Sequence, residues 1–151
     1  MKITQRIGIW ISLLVLVLLA ACSGEATPDP NAIKPSKPGD TGEALKLKGE
    51  PTNGEIIFNK KCIECHGEKG KGGVANGGTQ DGTVPALNPI EPSLYNTNTK
   101  VFAANLDLFI EHGSVPEGTP HRTMLAYGDY GILKPQEIAD VIAYIISLNT
   151  K

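Results

Sequence analysis

The chain has 151 residues and a formal net charge of −2 at pH 7, a length that suits one domain of ordinary size with additional segments. A slightly acidic chain gains no electrostatic attraction to a phosphate backbone, so we expect no nucleic-acid partner. The cysteines number three, and because this number is odd, disulfides within the chain do not account for all of them.

The N-terminal segment 1–21 has the layout of a secretory signal peptide. Lys2 and Arg6 precede the apolar stretch IGIWISLLVLVLLAA, and a basic region followed by a hydrophobic region and small residues is typical of export signals. The stretch is shorter than the roughly 20 apolar residues that a membrane-spanning helix needs. We therefore expect export of the chain and removal of residues 1–21.

Cys22 directly follows Leu19-Ala20-Ala21, and the run LAAC resembles the lipobox of bacterial lipoproteins. The resemblance implies that Cys22 is diacylated and becomes the new N-terminus. The alternatives are an ordinary cleaved signal with an incidental cysteine, or an uncleaved anchor. Two or three acyl chains hold a protein firmly at a membrane, whereas one chain binds only marginally. The expected location is the outer face of the bacterial cytoplasmic membrane.

Residues 22–52 are interpreted as the lipidated cysteine followed by a disordered, proline-rich tether. The stretch SGEATPDPNAIKPSKPGDTGEALKLKGEPT has mixed charge and almost no large apolar residues, so it has too little surface to bury to fold by itself. A flexible chain of about 30 residues has a typical reach of about 30 Å. The tether would let the head domain, residues 53–151, move in a zone next to the membrane.

The head domain is predicted to be all-α, with three or more short helices and long loops. Asn53 is placed to cap a first helix through GEIIFNKKC, with Ile56, Ile57 and Phe58 on its apolar face. A glycine-rich loop and a proline-punctuated segment follow, and neither shows a period. No stretch alternates between apolar and polar residues as an exposed β-strand does.

Two further helices follow from apolar spacing. The segment KVFAANLDLFIEHG has apolar residues at helical intervals and ends at Gly113, which is typical of a helix C-terminus. The segment KPQEIADVIAYIISLN begins with a proline in its first turn. Its apolar residues recur every three or four positions: Ile138, Val141, Ile142, Ile145 and Leu148.

The run CIECH, which begins at Cys62, allows three kinds of chemistry. A thiol–disulfide oxidoreductase normally places such a cysteine pair near a βαβ pattern, and none is visible. A zinc site needs a second close pair of ligands, and His112 and His121 are too far apart in sequence to form the usual pair. The third kind is c-type haem attachment. In that case Cys62 and Cys65 form thioethers with the haem vinyl groups, and His66 is the proximal iron ligand. We favour one covalent haem c.

The iron of an electron-carrying haem usually has a second strong axial ligand. Apart from the initiator, Met124 is the only methionine. It lies in a polar, irregular segment, where the usual role of methionine as a core filler fits poorly. Its rivals are His121, three residues earlier, and His112, which we assign instead to the C-terminal end of the middle helix. We predict that His66 and Met124 are the axial iron ligands.

With these residues identified, the head domain resembles the class I c-type cytochromes. Their shared order is an N-terminal helix ending in C-x-x-C-H, a Pro-x-Leu segment, a middle helix ending in glycine, a methionine loop and a C-terminal helix. The resemblance implies that the first and last helices cross. Gly54 and Phe58 of the first helix would then meet Val141 and Tyr144 of the last.

The resemblance also implies that the carbonyl group of the Pro-x-Leu proline holds the ring N–H of His66, which fixes the ring and strengthens it as a donor. Two such segments are present, one beginning at Pro85 and one at Pro92, and Pro85 is nearer to the motif. The chain departs from the family pattern in its long glycine-rich stretch after His66. It also has Leu125 after Met124, where the family often has proline.

What the resemblance implies for function is electron transfer through an exposed haem edge, without catalysis and without a small-molecule substrate. We expect electron exchange with membrane redox complexes, either as a tethered shuttle or as a subunit of a larger assembly such as alternative complex III or an oxidase. The alternative is a haem enzyme or a gas or redox sensor with a displaceable distal ligand. A basic docking ring or a solvated surface of scattered charge would each explain the lysines around the motif, which are Lys60, Lys61, Lys69 and Lys71.

Overall fold

The structure is a computed structural model that describes residues 34–77, 79, 81–115 and 123–150. Its helices are α1 Pro51–Lys61, α2 Ile63–His66, α3 Thr99–His112 and α4 Pro135–Asn149, with 3₁₀ turns at Glu43–Lys46 and Glu68–Gly70. Within these residues the backbone forms only isolated β-bridges and no strand. The predicted all-α class is confirmed.

Several predictions concern residues outside the described part of the chain: the signal peptide 1–21, the lipidation of Cys22, and the rival ligand His121. They stay predictions. Among the helices that are described, none has the length and the apolar character needed to cross a bilayer.

The first and last long helices, α1 and α4, cross in close contact, as the resemblance predicts. Phe58 of α1 is fully buried, and its ring centroid lies 5.4 Å from that of Tyr144 at an interplanar angle of 57°. A Cβ atom at Gly54 would overlap the carbonyl oxygen of Asp140, so only glycine allows the two backbones to approach this closely. Val141 is buried in the hydrophobic core that also contains Phe58 and Tyr144. The crossing holds the C-terminal end of α1 in a fixed position.

Helix α1 begins at Pro51 with Glu50 at its N-cap, so Asn53, the predicted cap, lies inside the first turn. Proline suits the first helical turn because the first backbone N–H groups of a helix have no partner within it. Ile56 was predicted on the apolar face and is 51% exposed. The face that meets α4 is set by Gly54 and Phe58, and Ile56 lies about 200° around the helix from each of them at 100° per residue.

Helices α3 and α4 bury the apolar stripes that their sequences predict. The Asn98 side chain accepts a hydrogen bond from the Lys100 N–H at 3.0 Å and caps α3. Gly113 follows the last turn of α3 with φ of 71°, a conformation that favours glycine. The buried residues of the two stripes are Phe102, Leu106, Phe109, Ile110, Ile138, Val141, Ile142 and Ile145, while Leu148 is half-buried.

Residues 34–50 pack against the helices, whereas composition predicted a disordered tether up to residue 52. Ala44 lies in the hydrophobic core with 2% exposure. The Gly42 N–H donates to Oδ2 of Asp107 at 2.6 Å, and Asp107 itself is fully buried in α3. A buried carboxylate gains much from a backbone N–H partner. These contacts join residues that are distant in sequence, so the composition of the segment did not reveal them.

A second group of contacts joins this segment to the C-terminal end of α3. His112 is buried, its Nε2 hydrogen-bonds the carbonyl oxygen of Asp40, and its Nδ1 lies 3.0 Å from Oδ2 of Asp129. Nζ of Lys37 lies 2.8 Å from the same carboxylate. Burial alone lowers the pKa of His112, but the contacts with Asp129 and Asp40 outweigh it, so the pKa is raised above its usual value. The imidazolium form therefore fits this place best.

Candidate functional site

A cavity of about 350 Å³ lies beside α2 and α3, within the range of about 300–1000 Å³ that ligand pockets usually have. Its apolar walls are Val84, Leu87, Leu94, Leu106, Phe109, Ile110, Leu125 and Ile145. The cavity is also lined by the five site residues that the sequence singled out in the head domain: Cys62, Cys65, His66, Pro85 and Met124. Residues up to 62 positions apart in sequence are thus brought to one place.

The CIECH run forms a short helical turn that continues from α1 after a break at Cys62. The Cys62 N–H donates to the Phe58 carbonyl oxygen at 2.8 Å and ends α1. The His66 N–H donates to the Cys62 carbonyl oxygen at 2.9 Å and closes the next turn. Residues three and four apart on a helix share a face, so Cys62, Cys65 and His66 lie together at the cavity.

The two cysteines carry free thiols and are half-buried. Burial, with a smaller contribution from Cys65, raises the pKa of the Cys62 thiol to about 12. Redox-active cysteines have a lowered thiol pKa and a reactive thiolate, so the surroundings of Cys62 do not favour disulfide exchange. Within the described ranges, 34–77, 79, 81–115 and 123–150, no three His, Cys, Asp or Glu side chains are grouped to hold a metal ion.

The imidazole of His66 is oriented by the carbonyl group of Pro85. Nδ1 lies 3.4 Å from the Pro85 oxygen, longer than the usual 2.7–3.2 Å of an N–H···O bond. Burial lowers the pKa of His66, and the Pro85 contact only partly opposes this. A neutral ring with its proton on Nδ1 keeps the Nε2 lone pair for a metal. Pro92 is exposed and is not among the cavity residues.

The Pro85 segment is held by a side chain that the sequence did not single out. Asn149, the last residue of α4, donates from Nδ2 to the Leu87 carbonyl oxygen at 2.8 Å and accepts from the Ile90 N–H at 2.9 Å. The Leu87 N–H donates to the Gly70 carbonyl oxygen at 2.7 Å. The sequence offered one signal for this role, a polar residue at the end of a largely apolar helix. That signal does not show which backbone groups Asn149 binds.

Met124 is half-buried at the cavity, and its backbone is held by Ser114. The Met124 N–H donates to Oγ of Ser114 at 2.9 Å, and the Ser114 N–H donates to the Met124 carbonyl oxygen at 3.2 Å. A Cβ atom on Gly113 would overlap that carbonyl oxygen, so glycine allows the close approach. No local pattern indicated Ser114, because it lies ten residues from its partner.

Tyr127 connects the segment after Met124 to the end of α1. Its hydroxyl donates to the Lys61 carbonyl oxygen at 2.9 Å, and its N–H donates to the Ile110 carbonyl oxygen at 3.0 Å. Tyr127 also lines the cavity. The sequence analysis did not identify it. The methionine segment is therefore fixed both to α3 and to the residue directly before Cys62.

Residues 51–149 match the Cytochrome c family, and the match covers more than half of the chain. The chain belongs to the cytochrome c family. Cytochromes c bind covalent haem c and generally serve as electron carriers. The matched region of this cytochrome c begins at the first residue of α1 and ends at the last residue of α4.

This cytochrome c is similar to the protein named diheme cytochrome c-type of Cereibacter sphaeroides. The two are 32% identical over 146 residues, which cover 89% of this chain and 46% of the relative. The chain thus spans about half the length of that relative. No solved structure matches the chain.

The side chains at the cavity of this cytochrome c fit a covalent haem. Cys62 and Cys65 offer two thiols on one helical face, as two thioether bonds require. His66 offers an imidazole nitrogen and Met124 a thioether sulfur, the axial donors that occur together in cytochromes c. The apolar lining suits a large flat macrocycle, because pockets of this kind bury most of the surface of the group they bind.

Proposed function

We propose that this cytochrome c carries single electrons with one haem c, bound by Cys62 and Cys65 and ligated by His66 and Met124. The observation that carries the proposal is that these four side chains line one apolar cavity. When bound, haem supplies an iron centre that accepts and releases one electron. The two thiols would hold the group by thioether bonds, and His66 and Met124 would occupy both axial positions.

Each neighbouring residue has a definable task in this proposal. Pro85 orients the imidazole of His66, and Ser114 fixes the backbone of Met124. The aliphatic and aromatic walls would keep water away from a bound haem, in surroundings of low polarity where charges interact more strongly. If His66 and Met124 both ligate the iron, a bound haem would have no open position for a substrate, as a carrier requires and as the alternative of a haem enzyme or a gas or redox sensor does not.

One haem in this chain is supported by the single C-x-x-C-H run in 151 residues. The relative in Cereibacter sphaeroides is named a diheme protein, and this chain aligns with 46% of it. The stoichiometry of one haem therefore stands as part of the proposal.

We infer that the electron partners are membrane redox complexes, reached either by a tethered shuttle or from within a larger assembly such as alternative complex III or an oxidase. Lys61 and Glu91 both line the cavity, so its lining carries charge of both signs. Glu64 and Glu68 are exposed in the same stretch as Lys61 and offset its positive charge, so electrostatic steering would be modest. The exposed lysines around the motif are Lys60, Lys61, Lys69 and Lys71.

The carrier function predicts that the reduced native protein does not bind carbon monoxide promptly. A Met124 sulfur on the iron must first dissociate, because carbon monoxide needs an open axial position. The measurement is the absorption spectrum of the dithionite-reduced full-length protein before and after mixing with carbon monoxide. Spectral conversion within the mixing time at neutral pH would overturn the carrier proposal and favour the enzyme or sensor alternative.

We also propose that Cys22 carries the lipid anchor that keeps the head domain at the outer face of the bacterial cytoplasmic membrane. The support is the LAAC run after a signal-like segment. Cys22→Ser is expected to move most of the haem-containing protein from the membrane fraction to the soluble fraction, because the acyl chains provide the membrane affinity. The control is Ser23→Ala, which should stay in the membrane fraction. Retention of Cys22→Ser in membranes would contradict the lipid anchor.

A further inference from the structure

The chain between the predicted anchor and α1 pairs with the segment that follows α3. We use the name strap for residues 34–42. The Ser36 N–H donates to the Gly113 carbonyl oxygen at 3.1 Å, and the Val115 N–H donates to the Lys34 carbonyl oxygen at 3.0 Å. These two bonds form an antiparallel bridge centred on Pro35 and Ser114. The strap therefore occupies one edge of residues 113–115.

The opposite edge of residues 113–115 holds Met124. The strap uses the Gly113 carbonyl oxygen and the Val115 N–H, whereas the N–H and Oγ of Ser114 are used by the Met124 backbone at 3.2 and 2.9 Å. Residues 113–115 thus lie between the strap and the methionine.

Further contacts fix the strap along α3. The Gly42 N–H is bound by the buried Asp107 at 2.6 Å, and Nζ of Lys37 contacts Asp129 at 2.8 Å. The Asp129 N–H donates to the Glu111 carbonyl oxygen at 3.0 Å, so this carboxylate belongs to the segment just after Met124. The strap therefore contacts the chain both before Met124 in sequence, at residues 113–115, and after it, at Asp129.

We propose that the strap is a positioning element for Met124, so that residues in the membrane-proximal part of the chain help to hold the sixth ligand of the iron. The inference rests on the proposed role of Met124 as ligand. A backbone paired on one edge only retains more freedom than one paired on both edges, and a ligand held on a freer backbone is released more often. Pairing with the strap limits that freedom at Ser114.

The test compares Ser36→Pro with Ser36→Ala in the full-length holoprotein. Proline removes the N–H that binds the Gly113 carbonyl oxygen, whereas alanine keeps it. We expect Ser36→Pro to speed hydrogen exchange at the Met124 amide, and imidazole binding to the oxidised iron, by about fivefold each, the factor that loss of one ordinary backbone hydrogen bond gives. Ser36→Ala should match the wild type in both.

A second pair of variants tests the other attachment. Lys37→Gln breaks the contact with Asp129, while Lys46→Gln breaks a contact with Glu43 that is confined to one turn. Only Lys37→Gln should speed imidazole binding. Lys37 lies on the protein surface, so its substitution leaves the core intact and keeps the test informative if Ser36→Pro fails to fold.

Two results would overturn the proposal. One is imidazole binding that is the same in Ser36→Pro as in Ser36→Ala, with the sulfur-to-iron charge-transfer band present in both. The other is faster exchange at the Met124 amide with unchanged imidazole binding, because the strap would then hold the loop without affecting the ligand. Failure of the proposed function is distinguishable, since the wild-type protein would itself lack the charge-transfer band.

Discussion

Met124→Ala is expected to abolish the sulfur-to-iron charge-transfer band of the oxidised protein, while the haem stays covalently attached through Cys62 and Cys65. The side chain lines the cavity together with His66, and alanine has no donor atom to offer. Because thioether ligation raises the reduction potential relative to other axial ligands, the midpoint potential should fall. The reduced variant should also bind carbon monoxide promptly, unlike the wild type.

The matched control for this substitution is Leu125→Ala. Leu125 is adjacent, lines the same cavity and is 52% exposed, so its loss changes the apolar lining without removing a donor. The control should keep the charge-transfer band and a potential close to the wild-type value. Survival of the band in Met124→Ala would show that another group is the ligand, and His121→Ala would then identify whether that group is the nearby histidine.

The residues of the candidate attachment run could be picked out from the sequence because they lie at short spacing. The CIECH run brings two thiols and an imidazole to one helical face, which three- and four-residue intervals predict. Helices α3 and α4 were predicted for a similar reason, since their apolar residues recur at the helical period. Met124 was singled out by elimination; it lines the cavity, and its role as iron ligand stays a prediction.

Contacts between distant segments were not accessible from local patterns. Composition predicted disorder for residues 34–50, but the partners of this segment, among them Asp107 and His112, lie about 65 to 72 positions further along. Ser114 and Asn149 were missed for the same reason. The sequence favoured Pro85 over Pro92 only because Pro85 is nearer to the motif, and the folded chain places the Pro85 carbonyl group next to the His66 ring.

The second large effect is expected at the helix crossing, where Gly54→Ala should lower the free energy of unfolding by about 3 kcal/mol. Two contributions oppose each other. Alanine is a better helix former than glycine by about 1 kcal/mol, which favours the variant. The added Cβ, however, would overlap the backbone carbonyl oxygen of Asp140 and come within 2.8 Å of Cβ of Tyr144. A backbone atom in a packed helix does not move aside as the end of a flexible side chain does. The destabilisation from the overlap is therefore larger than the gain in helix propensity.

Urea unfolding of the holoprotein, followed by circular dichroism, measures this difference. Asn53→Ala is the matched control, because Asn53 is the exposed neighbour in the same helix and gains propensity without meeting α4. It should change the free energy of unfolding by less than about 0.5 kcal/mol. If Gly54→Ala were as stable as Asn53→Ala, the helices would not cross at this distance. Phe58, on the same face as Gly54, lies one helical turn before Cys62, and its carbonyl oxygen accepts the Cys62 N–H at 2.8 Å, so a displaced crossing should also lower the yield of haem attachment.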